Sequence, residues 1–323
     1  MTQYNFCTIF NSSYFAKGLA LYFSLEKVCN FHLYIFTSDE SSVRLLKEKK
    51  LNHATIIPIS EIENAELLSI KPKRDIAEYF WTIKAYCIEY LFNSLNLDAV
   101  SYVDADTYFY SDPRPFFDEI GNDSVLIIPH NFSPKYKREI KNGIFNAGYI
   151  TFKNTEPGYE ILRWWKVKCT EWCYKKKENG KFGDQMYLDS IADKKHVKIL
   201  KHNGALANWN VQQYNFTRKN GKLFGITNSG KSFEVVFFHF HYHKFYSNGD
   251  VEFGRKFLSK TVLELFYIPY TSYLYSLASL ELNGAVEKQF TWKTPIISLK
   301  RKIERTYNIF PIRSLLDKQL SQN

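Results

Sequence analysis

Along its first half the chain alternates two kinds of hydrophobic pattern. Short runs rich in β-branched and aromatic residues fall at Tyr4–Phe10, Phe31–Phe36, Ala54–Ile59, the stretch ending at Asp104, Ser124–Ile128 and Ile144–Phe152, and each reads as a strand. Between them lie segments with helical spacing. Tyr14–Val28 has an apolar face at Leu19, Leu21, Tyr22 and Leu25, and Thr37-Ser38-Asp39 signals a second helix start. Asp75 is placed to cap a long helix that runs to about Leu95 through Ile83, Cys87, Ile88 and Leu91. This alternation predicts an α/β fold: a mainly parallel central sheet flanked by helices on both faces. After about residue 153 the pattern turns more helical, with a Trp- and Lys-rich segment at Trp164–Lys181. Later strands are expected at His196–Leu200 and Phe233–Tyr242, and helix from Gly254 onward. The expected division is an α/β domain over 1–255 and a helical, basic extension over 256–323.

Composition narrows the class. With 323 residues, 45% of them hydrophobic, the chain can bury a large core. Its five cysteines, Cys7, Cys29, Cys87, Cys169 and Cys173, are odd in number and scattered, which suits free thiols in a reducing cytoplasm. The first residues lack the basic-then-apolar pattern of a signal peptide. The longest apolar candidate for a membrane span, Leu265–Leu280, contains Pro269 and four tyrosines and is too short and polar to cross.

The formal charge of +10 calls for an anionic partner. Half of it sits in residues 293–323, where seven Lys/Arg oppose Glu304 and Asp317. There Ile296, Leu299, Ile303, Tyr307 and Phe310 recur at three- and four-residue steps, predicting a basic amphipathic helix ended by Pro311. Such a helix would either bind an anionic membrane surface or pack on the catalytic domain.

The chemistry concentrates where an apolar run ends in Asp104-Ala105-Asp106. On an extended segment, side chains two apart point the same way, roughly 6.5–7 Å apart. Two carboxylates so placed need a positive partner, and their hard oxygens suit Mg²⁺ or Mn²⁺ carrying a diphosphate. Ligands of open α/β sheets bind beyond the carboxyl ends of strands, where this pair falls. Three further segments accompany it. Phe145-Asn146-Ala147-Gly148 offers an amide and two small residues ahead of a β-rich run. Asp184-Gln185 sits near a helix start, where Asp184 either caps the helix or faces a ligand. His239, His241 and His243 alternate, so three imidazoles share one strand face, and neutral imidazole binds metals. No Gly-x-Gly-x-x-Gly and no Gly-x-x-x-x-Gly-Lys-Ser/Thr is present, which argues against dinucleotide-type Rossmann enzymes and P-loop NTPases.

In this order the segments resemble the GT-A-fold glycosyltransferases, most closely the family 8 type that includes bacterial lipopolysaccharide galactosyl- and glucosyltransferases. The resemblance runs from about Phe6 to Lys244. It implies a Rossmann-like GT-A catalytic domain and transfer of a hexose from a nucleotide-sugar donor, UDP-linked, to a glycan or lipid-linked glycan of lipopolysaccharide or capsule, with retention. Asn11 and Tyr14 would line the nucleoside pocket, and Lys84 would approach the diphosphate or the acidic motif. Asn146, Asp184 and Gln185 would contact the transferred sugar. Asp104, Asp106 and His239 would hold Mn²⁺ or Mg²⁺, leaving His241 for the diphosphate. In a retaining mechanism, Gln185 or a donor phosphate oxygen could assist the incoming hydroxyl. The family's late His-x-x-Gly-x-x-Lys-Pro-Trp is altered here: Tyr242 stands where Gly is expected and no Lys-Pro-Trp occurs. The choice between His239 and His241 as metal ligand therefore stays open. The implied location is cytoplasmic, peripheral to the inner face of the membrane. Competing readings are a sugar-nucleotide pyrophosphorylase, whose Gly-rich basic loop after the first strand is missing, and a nucleic-acid-binding protein, for which no module is recognisable.

Overall fold

A computed structural model describes residues 3–278, 286–287, 302 and 304–320. The chain forms two compact units: one from the residues up to Asn11, Cys29–Ala105 and Asp112–His202, the other from Ser12–Val28, Asp106–Ser111 and the described residues from Asn203 on. Its strands to residue 202 are β1 (Tyr4–Phe10), β2 (Phe31–Thr37), β3 (Ala54–Pro58), β4 (Ala99–Val103), β5 (Thr107–Phe109), β6 (Val125–Pro129), β7 (Phe145–Lys153) and β8 (Val197–Ile199). The helices are α1 (Phe15–Val28), α2 (Glu40–Glu48), α3 (Ala65–Ile70), α4 (Ile76–Leu95), α5 (Arg114–Ile120) and α6 (Glu156–Glu171). All belong to the first unit except β5 and α1, which belong to the second.

The first unit is built on a seven-stranded sheet of order β3-β2-β1-β4-β7-β6-β8. Pairs β1–β2, β2–β3, β1–β4 and β6–β8 are parallel, while β7 runs antiparallel to both β4 and β6. The sheet is thus mainly parallel, as expected, but β7 makes it mixed. Because β1 and β4 are parallel neighbours and the strand order reverses between them, their carboxyl ends open a crevice of the kind that binds ligands. Asn11 directly follows β1 and Asp104 directly follows β4. Helices α4 and α6 bury Tyr79, Ile83, Ile88, Leu91 and Trp165 in the core of this unit. The start of α4 is fixed locally by a capping box: Asp75 accepts from Ala77 and Glu78 backbone N–H groups, and Glu78 returns a bond to the Asp75 N–H. Helix α6 ends at Glu171, ten residues before the Trp- and Lys-rich segment does, so Trp172–Lys181 is not helical.

In the second unit β5 pairs antiparallel with β13 (Phe237–His239), which pairs parallel with β9 (Ala205–Ala207). Strands β10 (Asn215–Lys219), β11 (Lys222–Ile226) and β12 (Ser232–Glu234) form a separate antiparallel sheet. The expected single strand Phe233–Tyr242 is therefore broken: β12, then β13, then a turn in which Tyr242 takes φ 67°, then β14 (His243–Tyr246). A helical run, Lys260–Ala278, carries a π-turn at Leu263–Tyr267 just ahead of Pro269, whose missing N–H cannot serve a regular α-helical ladder.

The C-terminal stretch departs from the expected helix. Ile296 and Leu299 lie outside the described residues, as does Ile303. Tyr307 is in coil, and Phe310 belongs to a strand, Ile309–Pro311, that pairs antiparallel with β15 (Asp250–Phe253). Pro311 precedes a helix, Ile312–Leu320, and does not end one. That pairing, with Leu315 in the core of the second unit, means that the described residues of 256–323 belong with 203–255, and the boundary at 255/256 falls inside one unit.

Candidate active site

Lys84 points from α4 into the first unit and is 2% exposed. Its Nζ lies 3.0 Å from the Ala147 carbonyl, 3.3 Å from Asp104 Oδ1 and 2.9 Å from Asp184 Oδ2. The Tyr102 ring sits 4.6 Å beneath it, and the Tyr102 hydroxyl donates to Asp104 Oδ1 at 2.9 Å. Asp104 is anchored again through its backbone, its N–H donating to the Gly148 carbonyl at 2.9 Å. Burial opposes the charged ammonium, yet the carboxylates of Asp104 and Asp184 more than offset it and hold Lys84 above its ordinary pKa.

Asn146, Ala147 and Gly148 lie within β7, not in a turn before it, and face a register shift between Ile127 and Ile128 of β6. Such bulges re-aim groups beside active sites. Here the shift accompanies the use of two consecutive carbonyls, those of Ala147 and Gly148, for Lys84 and Asp104. Asn146 Oδ1 accepts from the Gly148 N–H at 2.9 Å, and its amide nitrogen lies 3.4 Å from His130 Nε2.

Asp184 precedes a 3₁₀ turn, Gln185–Ser190, without capping it through its side chain. The capping alternative is thus not what the carboxylate does; it pairs with Lys84. Gly183 ahead of it adopts φ 55° with Trp81 stacked close enough that a Cβ would meet the ring at 3.3 Å. Burial pushes the Asp184 carboxyl up, Lys84 pulls it down and Asp104 pushes it up again; the net direction is upward. Gln185 is tied by Nε2 to the Asn142 carbonyl at 2.7 Å, leaving Oε1 as the end that can accept from a ligand.

In the second unit, pairing of Thr107 with His239 sets Asp106 beside β13, and the Phe240 N–H donates to the Asp106 carbonyl at 2.8 Å. Asp106 Oδ1 and His239 Nε2 are 3.0 Å apart, both residues being buried. His241 completes a group: one ligand atom from each of Asp106, His239 and His241 lies within 4.8 Å of the others. The Trp209 ring packs edge-on against both imidazoles, at 5.4 and 5.8 Å. Burial would raise the Asp106 carboxyl, but His239, then Lys17 and His241, hold it well below the usual carboxylate range. His243 takes no part. The turn at Tyr242 sends it inward, where Nε2 lies 2.9 Å from Thr271 Oγ1 and burial drives its pKa well down. The three imidazoles therefore do not share one face.

The acidic motif is a turn between β4 and β5 and not an extended segment: Asp104 engages Lys84 and Tyr102, Asp106 engages His239. Tyr14 lies in a 3₁₀ turn, 40% exposed, with Lys17 Nζ 3.9 Å over its ring. Lys17, whose Nζ also donates to the His243 carbonyl at 2.8 Å, escaped the sequence reading, as did Tyr102 and Trp209. A lone cation on the apolar helix Phe15–Leu25 was the signal for Lys17; nothing local marks the other two.

A sequence model of the nucleotide-diphospho-sugar transferase family matches residues 30–249, and the chain belongs to this family. It is a glycosyltransferase, which decides against the pyrophosphorylase. Its relatives include two uncharacterized proteins of Bacillus subtilis strain 168. YfnF is 31% identical over 258 residues, covering 76% of this chain and 84% of its own. YfnD is 30% identical over 231 residues, covering 69% and 74%. Among solved structures, the galactosyltransferase LgtC in complex with donor and acceptor sugar analogues superposes with a TM-score of 0.55 at 14% identity, covering 92% of this chain and 99% of that one. An active-site mutant of LgtC gives 0.55 at 13%, covering 84% and 95%. The fold is the GT-A fold. Among the described residues, no helix is long and apolar enough to cross a membrane.

Replacing Lys84 by Met should lower unfolding stability by about 3–5 kcal/mol at pH 7, because it strands two carboxylates around an apolar chain. The loss should shrink as pH falls. Asp184's folded-state pKa is already raised, so its protonation contributes stability that is complete below its ordinary value and lost as pH rises through the folded one. Urea unfolding at pH 7 and pH 5 checks this; a variant as stable as the parent at both would refute it.

Proposed function

We propose that this glycosyltransferase is metal-dependent and moves a hexose from a UDP-linked donor to a bacterial surface glycan, of lipopolysaccharide or capsule type, with retention. The observation that carries the reading is the Asp106–His239–His241 group, in a chain of the nucleotide-diphospho-sugar transferase family. One carboxylate oxygen and two imidazole nitrogens, two of the three residues buried and Asp106 held anionic, fit a divalent ion with mixed oxygen and nitrogen preference, Mn²⁺ better than Mg²⁺. Both histidines then serve the metal, which answers the choice left open by the altered motif. Asp104, Asp106's neighbour but one in sequence, is assigned a supporting part through Lys84 and Tyr102. When bound, the ion supplies positive charge against the departing diphosphate.

The chain's own groups do the rest. Lys84 fixes Asp104 and Asp184 in place. Asp184 is assigned to accept from or donate to a sugar hydroxyl, Asn146 and Asn11 to donor contact, and Tyr14 to the nucleoside. Gln185, its nitrogen tied to the Asn142 carbonyl, is assigned to offer Oε1 to the reacting sugar. The charge of residues 293–323 supports work beside an anionic membrane carrying lipid-linked acceptors.

Asp106→Ala should abolish turnover of UDP-sugars with the fold retained, His239→Ala and His241→Ala should each weaken Mn²⁺ binding, and EDTA should silence the parent enzyme. Donor hydrolysis across a panel of UDP-hexoses measures this, and full activity in EDTA would rule out the metal.

Asp184→Asn and Gln185→Ala should cut transfer by about 10²–10³ while sparing UDP affinity, the scale of one hydrogen bond made in the transition state. The anomeric configuration of the product, read by NMR, tests retention in the same experiment; an inverted product would remove that part of the proposal.

For the membrane, truncation is a poor probe, because it removes the strand paired with β15. Reversing Lys300, Arg301 and Lys302 to Glu should instead abolish co-sedimentation with anionic vesicles at low salt. Equal pelleting of the parent and the reversed chain would discard the tail as an anchor.

A further inference from the structure

The second unit contains a cavity of about 320 Å³ that none of the groups above explains. Tyr108 and Tyr110, two apart along and just beyond β5, line it together with Tyr270 and Tyr273 of the helical run. The rings form a connected wall: Tyr108 lies 5.2 Å from Tyr110, 6.0 Å from Tyr270 and 6.1 Å from Tyr273. Two cations complete the lining, Lys27 at the end of α1 and Arg218 on β10, and both are solvent exposed. None of the lining residues carries a carboxylate. Lys27 Nζ lies 5.0 Å over the Tyr273 ring, while the adjacent Glu26 accepts from the Tyr22 hydroxyl at 3.1 Å.

Tyr270 is a fixed part of this wall. Tyr270 is 2% exposed and its ring is stacked on Phe240 at 3.7 Å, yet its hydroxyl has no hydrogen-bond partner among the described residues. A buried hydroxyl left unpaired costs free energy, and a fixed ring cannot swing it elsewhere. The volume falls at the small end of ligand pockets, the scale of a single sugar ring. Tyrosine walls present apolar faces and polar edges, which match a pyranose with its C–H faces and hydroxyl rim. Cations lining the opening favour an anion.

We propose that this cavity is a second, non-catalytic site for one pyranose bearing a carboxylate or a phosphate, its ring against the tyrosines and its anion met by Lys27 and Arg218. The assignment does not depend on the metal or on retention, and it can be read without turnover.

The experiment is ligand-observed NMR on the full chain, saturated with UDP so that the nucleotide site is filled. The probes are a methyl glucuronide, a hexose phosphate, the neutral methyl glucoside and inorganic phosphate. At least one charged sugar should bind, about tenfold or more tighter than the neutral glucoside and inorganic phosphate; which one binds separates the carboxylate from the phosphate source. Lys27→Gln and Arg218→Gln should each weaken that binding about tenfold, the scale of one charge-assisted hydrogen bond, with UDP affinity unchanged. Both residues are exposed, so the substitutions leave the core intact. The proposal is overturned if neither charged sugar binds, if the glucoside or phosphate alone binds as tightly, if bound sugar is displaced by raising UDP, or if both charge variants bind like the parent.

Discussion

The first unit depends on one buried ammonium. Lys84 has three protons to place and three acceptors around it: the Ala147 carbonyl, Asp104 and Asp184. Moving such a charge out of water costs several kcal/mol, and only a full set of partners makes that tolerable. The set is also unbalanced, two carboxylates to one cation. The excess negative charge is least shielded at Asp104, whose side chain is 27% exposed while that of Asp184 is 6% exposed. This group stands at the carboxyl end of β4, where open α/β sheets receive ligands.

That arrangement constrains β7 as strongly as it does the charged residues. The ammonium needs the Ala147 carbonyl and the Asp104 backbone needs the Gly148 carbonyl, so two successive peptide units are used from one strand. A regular ladder sends successive carbonyls to opposite sides. The register shift opposite Ile127 and Ile128 is the irregularity that accompanies this double use, and it explains why small residues stand there. Asn146 closes the segment by bonding the Gly148 N–H with its own Oδ1. Its side chain is therefore partly a structural strap, which makes its geometry well defined for any hydroxyl it meets.

How much of this the sequence discloses follows from how local each signal is. The cap at Asp75, the six early strands and the positions Asp104, Asp106, Asp184 and His239 are written in short windows, while Lys84 is reached only through the family resemblance. What is not local is not legible. Tyr is no turn residue, so the alternation from Phe237 to His243 reads as one strand, while the positive φ at Tyr242 diverts His243 to Thr271. The Asp104–Asp106 spacing likewise reads as extended, whereas the chain turns there because β5 pairs with β13, more than a hundred residues on. The apolar stripe ending at Phe310 has helical spacing, yet Phe310 pairs with β15, since strand partners override local periodicity. Direction is invisible too: nothing in Phe145–Lys153 announces that β7 runs against its neighbours.

The two aspartates at the centre of these arrangements, Asp106 and Asp184, are both buried, and burial pushes both pKa values up. Their surroundings then part them. Asp106 meets His239, Lys17 and His241 and ends well below the carboxylate range; Asp184 must share Lys84 with Asp104 and ends above its ordinary value. A carboxylate that stays ionised is a hard oxygen ligand at any pH the cell offers. One that protonates more readily can pass a hydrogen bond in either direction to a hydroxyl. Pairs of acids driven apart in this way divide their duties by environment, not by identity. The proposed reaction uses both duties, a fixed anion for a cation and an adaptable group for the sugar. Their opposite pKa directions support that division more directly than their spacing in the chain does.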